Sequence, residues 1–210
     1  MDDLSRQNEK RRTAWAKQAA DYDKRIGFFE RRVFGPEHRS WACSRAEGDT
    51  LEVAVGTGLN LPLYRDDVRL TGIDLTAEMI EIARERAGAL GRDVTLQVGD
   101  AHSLAFPDAS FDSVVCTYSL CNIPDPARAV GEMKRVLRPD GRLILVDHIR
   151  SSVTPFLWLQ KAFEFFSVRS DGDHMTRRPL EQVVAHGFEI VERDRLGPGG
   201  IVERLVATSP

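Results

Sequence analysis

Cysteine is scarce: Cys43, Cys116 and Cys121 are the only three in 210 residues, and their spacing offers neither a disulfide framework nor a paired metal-ligand motif. Reduced thiols in a cytoplasmic protein are expected, with no metal. No stretch approaches the ~20 apolar residues of a membrane span, and the N-terminus is charged where a signal peptide would be apolar, so the chain reads as soluble and unprocessed. Positive charge is not in excess either, since 29 Lys and Arg stand against 32 Asp and Glu for a formal net charge of -3. A nucleic-acid partner is therefore not expected, because phosphate binding needs a concentrated positive field. Internal repeats, low-complexity tracts and linkers are missing as well. At 42% apolar content the chain can bury one full-size core, and residues 1–210 read as a single domain.

What is present centres on Leu51-Glu-Val-Ala-Val-Gly-Thr-Gly58, an apolar, β-branched run ending in two glycines one residue apart. It reads as a strand followed by a tight turn, in which Gly56 and Gly58 remove side chains that would hold a ligand away from the backbone. A second strand-like run, Leu70-Thr-Gly-Ile-Asp-Leu75, ends on Asp74. A glycine turn followed by a carboxylate at the end of the next strand is an arrangement that receives a ribose-bearing cofactor. A dinucleotide site would want a third glycine three residues after Gly58, where Leu61 stands.

Around this centre the chain alternates strand and helix. Strands are predicted near 50–55, 69–73, 94–98, 112–117 and 142–148. Helices fit at Ala77–Leu90, stopped by Gly91, and at Pro126–Leu137, followed by a Pro139-Asp140-Gly141 turn. Such alternation implies parallel strands with right-handed crossovers. Before it, Trp15, Ala19, Tyr22, Ile26, Phe29 and Val33 recur at helical spacing, with Gly27 a possible break, Gly35-Pro36 an end, and a short helix expected between Arg39 and Gly48. After it come an aromatic-rich helix over 153–168, a helix from Pro179 to His186, and two strands, Glu189–Arg195 and Ile201–Thr208, joined by Gly197-Pro-Gly-Gly200 as an antiparallel hairpin.

Together, the glycine turn, Gly72-Ile-Asp74 with Met79, Gly99-Asp-Ala101, Phe111-Asp112 and Val136-Leu-Arg-Pro-Asp-Gly141 resemble the ordered motifs of class I S-adenosylmethionine-dependent methyltransferases. The resemblance runs from about Asp21 to the C-terminus. It implies a Rossmann-like, doubly wound α/β sheet of seven strands with the last antiparallel. N-terminal helices would form a cap over 1–48, the cofactor-binding core would span 49–148, a substrate-side helical insertion after the fifth strand would cover 149–187, and a terminal hairpin 188–210. It also implies S-adenosylmethionine as cofactor. Gly56, Thr57 and Gly58 would meet its methionyl end with Glu52 supporting the loop, while Asp74 and Leu75 would meet the ribose. Met79 and Gly99-Asp100-Ala101 with His102 would border the adenine. Tyr22, in Asp21-Tyr22-Asp23, resembles a segment that folds over the cofactor, and Thr117 and Tyr118 would border the methyl. Ala54 stands where the family usually has a glycine, so altered loop packing is expected.

Within the family, Cys116-Thr-x-x-Leu-Cys121, Asp147-His148 and Gly172-Asp-His-Met-Thr-Arg177 are similar to the small alkyl-thiol methyltransferases, near quinone and phospholipid methyltransferases. His148 and His174 are the candidate general bases, since a histidine accepts a proton near neutral pH. Cys121 is assigned to packing, because direct displacement needs no covalent enzyme intermediate. The expected acceptor is small and apolar or lipid-like, a thiol, a phenol or quinol, or a lipid, held by the aromatic stretches 28–34 and 156–166. Core packing explains many of these rings equally well. A cofactor-binding but catalytically silent regulatory or scaffold protein is the alternative.

Overall fold

Period-two burial on both sides of a sheet needs helices on both faces, and the chain supplies them. The computed structural model describes residues 2–35, 37–170 and 174–210. Expectations placed on Pro36, Gly172 and the side chains of Phe29 and Phe166 lie outside the described residues. The strands are β1 (Asp49–Val53), β2 (Arg69–Asp74), β3 (Val94–Val98), β4 (Phe111–Thr117), β5 (Leu137–His148), β6 (Glu189–Leu196) and β7 (Val202–Thr208). They form one sheet in the order β3-β2-β1-β4-β5-β7-β6. The pairs from β3 through β5 are parallel, and β7 runs antiparallel to both β5 and β6. This is the predicted Rossmann-like sheet. Neighbouring residues feed opposite faces: Val115 and Ile144 join one buried cluster, Val114 and Leu143 the other. The chain order reverses between β1 and β4, which makes the carboxyl ends of these two strands the natural ligand crevice.

Helices α4 (Ala77–Leu90) and α5 (Pro126–Val136) fill the predicted crossovers, α4 ending on Gly91 in a left-handed conformation at φ 61. Two boundaries differ from the sequence reading. β5 begins at Leu137 and absorbs the predicted Pro139–Gly141 turn, because pairing jumps from Phe111–Leu137 to Ser113–Arg142 and the surplus residues bulge out. At the N-terminus, α1 (Asp3–Gln18) and α2 (Tyr22–Phe29) are separated by a 3-10 turn at Ala19–Asp21, so the break falls there and not at Gly27. The cause is tertiary: Asp23 accepts from Thr57 Oγ1 at 2.6 Å and pairs with Arg86, fixing the start of α2 against the glycine turn. A π-helical turn, Glu30–Phe34, follows α2, and α3 (His38–Cys43) is shorter than the expected segment to Gly48.

Beyond the fifth strand lie α6 (Thr154–Ser170) and α7 (Pro179–Ala185). The aromatic helix is present as predicted, but the rings described on it do not face inward. Phe156, Trp158, Phe163 and Phe165 are all exposed, Trp158 at 69%. The inward row mixes half-buried Leu157 and Val168 with two polar residues. Gln160 bonds Ser151 N and Ile149 O, and Glu164 accepts from Thr176 Oγ1 at 2.8 Å. The expected acceptor pocket lined by 156–166 is therefore not formed by these described side chains. Of the earlier stretch, Phe28 is exposed at 57%, Phe34 is buried and Val33 packs partly buried against the same cluster.

Candidate active site

At the crevice, β1 leads into a turn in which Ala54, Gly56 and Gly58 all take positive φ, at 58, 57 and 79. For alanine that conformation costs ~1 kcal/mol, the price of a Cβ crowding the backbone. A Cβ at Gly56 would meet only Tyr22 Cε1, at an ordinary 3.9 Å, and its N–H donates to Asp74 Oδ2 at 3.0 Å. Gly58 has none: a Cβ there would sit 2.7 Å from Leu61 Cδ1, so this glycine serves packing of the turn rather than approach of a ligand. Asp74 also accepts from Thr76 N at 2.9 Å. Burial raises its pKa, against the lowering effect of the hydrogen bonds from Thr76 and Gly56.

Opposite Asp74, the loop after β3 presents Asp100 and the buried His102. The imidazole Nε2 lies 3.2 Å from Asp125 N and accepts from it, which leaves the proton on Nδ1 to donate to Asp100 Oδ1 at 2.7 Å. Asn8 of α1 donates to the other carboxylate oxygen at 2.7 Å. Burial pushes the Asp100 pKa up, but the His102 hydrogen bonds outweigh it and the net shift is downward.

The predicted residues divide into two groups. Tyr22, Gly56, Asp74, Leu75 and Met79 line one cleft together with Gly99, Asp100, Ala101, His102 and Tyr118. Glu52, Thr57, Gly58 and Thr117 stand behind it. Glu52 is buried and accepts from Asn60 Nδ2 at 2.7 Å and the Tyr64 hydroxyl at 2.9 Å. Desolvation pushes its pKa up to about 7, partly offset by Tyr64, Arg39 and Asn60. Asn60 and Thr117 in turn hold the Arg39 guanidinium at 3.1 Å each, and Arg39 Nε meets Glu30 at 2.6 Å. This polar network ties the N-terminal segment to the ends of β1 and β4.

Sequence reasoning missed the roof. Asn8, Arg11 and Trp15 of α1 line the cleft with Asn122 of the loop after β4. Trp15 Nε1 donates to Asn122 Oδ1 at 3.0 Å, clasping α1 over that loop. Trp15 belonged to the apolar stripe, but nothing in the polar residues before it marked them out.

The far wall begins at Tyr118, held at φ 53. Phe34 stacks on its ring at 5.6 Å and on His148 at 5.9 Å. Behind Tyr118, Cys121, Asp147 and His148 are buried, with a thiol, a carboxylate oxygen and an imidazole nitrogen all within 4.8 Å of one another. These donors could bridge one cation, in a place where the sequence suggested no metal. Asp147 accepts from Cys121 N at 3.0 Å and His148 N at 2.8 Å, while His174 N donates to Cys121 O at 3.1 Å. His148 and His174 thus both approach the Cys121 segment, although neither lines the cleft. His174 Nδ1 lies 3.5 Å from Glu164.

Two of the cleft-lining residues carry a buried polar atom, Asn8 Oδ1 and the Tyr118 hydroxyl, with no hydrogen-bond partner among the described residues. Each such atom costs ~1–3 kcal/mol unless a ligand or water completes it. With Asp74 bonded to the glycine turn on one side and Asp100 with His102 on the other, the cleft fits a polar, nucleoside-bearing group.

An open, mostly parallel sheet with such a cleft at its switch point defines a nucleoside-cofactor enzyme of the doubly wound class. The methyltransferase-domain family matches residues 51–145. A phosphatidylethanolamine N-methyltransferase from Cereibacter sphaeroides is 39% identical over 170 residues, covering 79% of this chain and 83% of that protein. A demethylmenaquinone methyltransferase from Deinococcus radiodurans is 40% identical over 100 residues, 46% of this chain and 42% of its own. In fold, a solved S-adenosylmethionine-dependent methyltransferase from Thermotoga maritima superposes with a TM-score of 0.73 at 23% identity, covering 94% of this chain and 99% of that one. The chain belongs to the class I S-adenosylmethionine-dependent methyltransferases, and its cofactor is S-adenosylmethionine. Among the described residues no helix is long and apolar enough to cross a membrane.

Proposed function

We propose that the enzyme methylates a small apolar or lipid-like acceptor, a thiol, a quinol or phenol, or an amine-bearing lipid, presented at the wall formed by Tyr118, Phe34 and the Cys121–Asp147–His148 cluster. The relatives named for phosphatidylethanolamine and demethylmenaquinone support the lipid-like class. The observation that carries the reading is that buried cluster beside an aromatic wall, just past the carboxyl end of β4. When bound, S-adenosylmethionine supplies an activated methyl on sulfonium.

The chain's own residues have three tasks in this reading. Asp74 would accept hydrogen bonds from the ribose hydroxyls, Asn8 and Asp100 would serve the adenine, and Gly56 with Tyr22 would border the methionyl end. The Phe34 and Tyr118 rings exclude water and offer a π face to positive charge near the reacting centre. Asp147 holds the Cys121 segment and the start of His148 in place, and the His148 imidazole receives the proton from a neutral thiol or phenol as its sulfur or oxygen attacks the methyl, or from an ammonium headgroup before the freed amine attacks. Glu52, Thr57, Gly58 and Thr117 act one layer back, by fixing the turn.

The test is methyl transfer from labelled donor to a panel of thiols, quinols and amine-headgroup lipids. Turnover is expected on at least one of these classes, and His148→Asn should lower it by ~100-fold or more while donor affinity is kept. Donor binding without transfer to any class, or transfer confined to small charged amines, would overturn the acceptor assignment. His174→Asn separates the two histidines: its smaller predicted loss reflects an imidazole beside Glu164 rather than within the cluster.

A further inference from the structure

The outer face of α6 has the composition of a core and the position of a surface. Phe156, Trp158, Leu159, Phe163 and Phe165 are 43%, 69%, 65%, 55% and 57% exposed. The apolar rings are on the outside, while the inward row carries Gln160 and Glu164, both hydrogen-bonded to the body, beside half-buried Leu157 and Val168. Glu164 is its sole acidic residue and is turned away from solvent, at 17% side-chain exposure, so the outer face carries no carboxylate. Its one described outward charge is Lys161, placed 5.6 Å over the Trp158 ring. An exposed apolar patch of this kind marks an interaction surface rather than ordinary scatter.

Charge beside the helix indicates the partner. Arg150 lies in the segment before α6 and Thr176-Arg177-Arg178 in the segment between α6 and α7, and these residues meet in one crevice with Gln182. Three arginines there face one glutamate, Glu181, which pairs with Arg178 at 3.2 Å. The crevice is joined to α6 directly, because Thr176 is the residue bonded to Glu164. Aromatic and leucine side chains with lysine at their edge and a basic crevice alongside suit the interface of a bilayer, where rings settle at headgroup depth and basic groups meet phosphate.

We infer that α6 and the Arg150–Arg178 crevice form a docking site for the surface of an anionic phospholipid bilayer. The inference goes beyond the acceptor reading and stands without it, since vesicle binding needs neither donor nor turnover. Trp158 supplies the probe: the other two tryptophans, Trp15 and Trp41, are half-buried and buried.

The experiment is sedimentation of the full chain with vesicles of phosphatidylcholine alone and with added phosphatidylglycerol, read alongside tryptophan emission. Binding is expected with a blue shift, stronger on phosphatidylglycerol vesicles and weakened by salt. Trp158→Phe should remove the shift but keep sedimentation. The double variant Leu159→Glu, Phe163→Glu should lower partitioning at least tenfold at unchanged melting temperature and donor affinity, and Arg150→Gln with Arg178→Gln should abolish the preference for phosphatidylglycerol. Absence of binding to either vesicle would overturn the inference, as would binding indifferent to the glutamate pair. So would a dimer in solution that this pair dissociates without any vesicle binding, which would assign the face to a second copy.

Discussion

Ala54 and Glu52 show how single residues at the turn trade stability for the site. Ala54 is held at φ 58, where glycine is at ease and alanine is not. Ala54→Gly is therefore predicted to stabilise the protein by about 0.5–1 kcal/mol in urea unfolding, even after the entropy that glycine adds to the unfolded chain. A loss of stability would show that the methyl group packs better than its backbone suggests. Glu52 is buried, with a pKa raised from 4.5 to about 7. Its native state holds the proton more tightly than the unfolded chain, so its favourable contribution is complete below pH 4.5 and is lost as pH rises through 7. Relative to Glu52→Gln, the wild type should lose about 3 kcal/mol across that window, at ~1.4 kcal/mol per pH unit. Parallel stability–pH curves for the two proteins would contradict this. Glu52 was legible as a loop support from its place in the motif. Its partners Asn60, Tyr64 and Arg39 were not, because a polar network assembled from three separate segments leaves no periodic trace.

Among the elements, α1 is the one the sequence concealed. Its stretch from Asp3 to Ala14 is charged and polar almost throughout, with Asn8 its one buried side chain, so no apolar face announces a helix that folds onto the body. It is capped by Asp2, which accepts from Ser5 N at 2.7 Å, and held by the Trp15–Asn122 and Asn8–Asp100 bonds. Asn8→Ala and Trp15→Ala should each weaken S-adenosylmethionine binding about tenfold, the scale of one lost hydrogen bond to a charged or buried group. Global melting should change little, because Asn8 is the one buried residue of α1, and calorimetry with a thermal scan reads both effects. Unaltered affinity in both variants would leave α1 a passive appendage. α6 teaches the complementary lesson: its existence and length followed from composition, but its orientation did not, since aromatics at helical spacing say which residues share a face and not which way that face turns.

Taken whole, the molecule was most legible where secondary structure alternates. Parallel β-α crossovers permit one handedness and place glycine turn, Asp74 and Asp100 at one sheet edge, so the ordered motifs fix the cleft before any contact is known. The acceptor side was less legible because it is built by long-range packing of Phe34, Tyr118 and His148, from three elements far apart in the chain. Ligand linkage acts at this scale. Donor at 100 times its dissociation constant should stabilise the fold by about 2.7 kcal/mol, provided the unfolded chain does not bind it.

The most direct test of the cleft as the cofactor site is a calorimetric titration of S-adenosylmethionine into the wild type and Asp74→Asn at matched fold. Asp74 is the carboxylate that joins the glycine turn to the end of β2 through Gly56 and Thr76. One-site binding is predicted for the wild type, weakened in the variant by about 1.5–3 kcal/mol, roughly ten- to hundredfold, as charge-assisted bonds become neutral ones. Equal affinity in a folded Asp74→Asn protein, or no saturable binding to the wild type, would contradict the assignment.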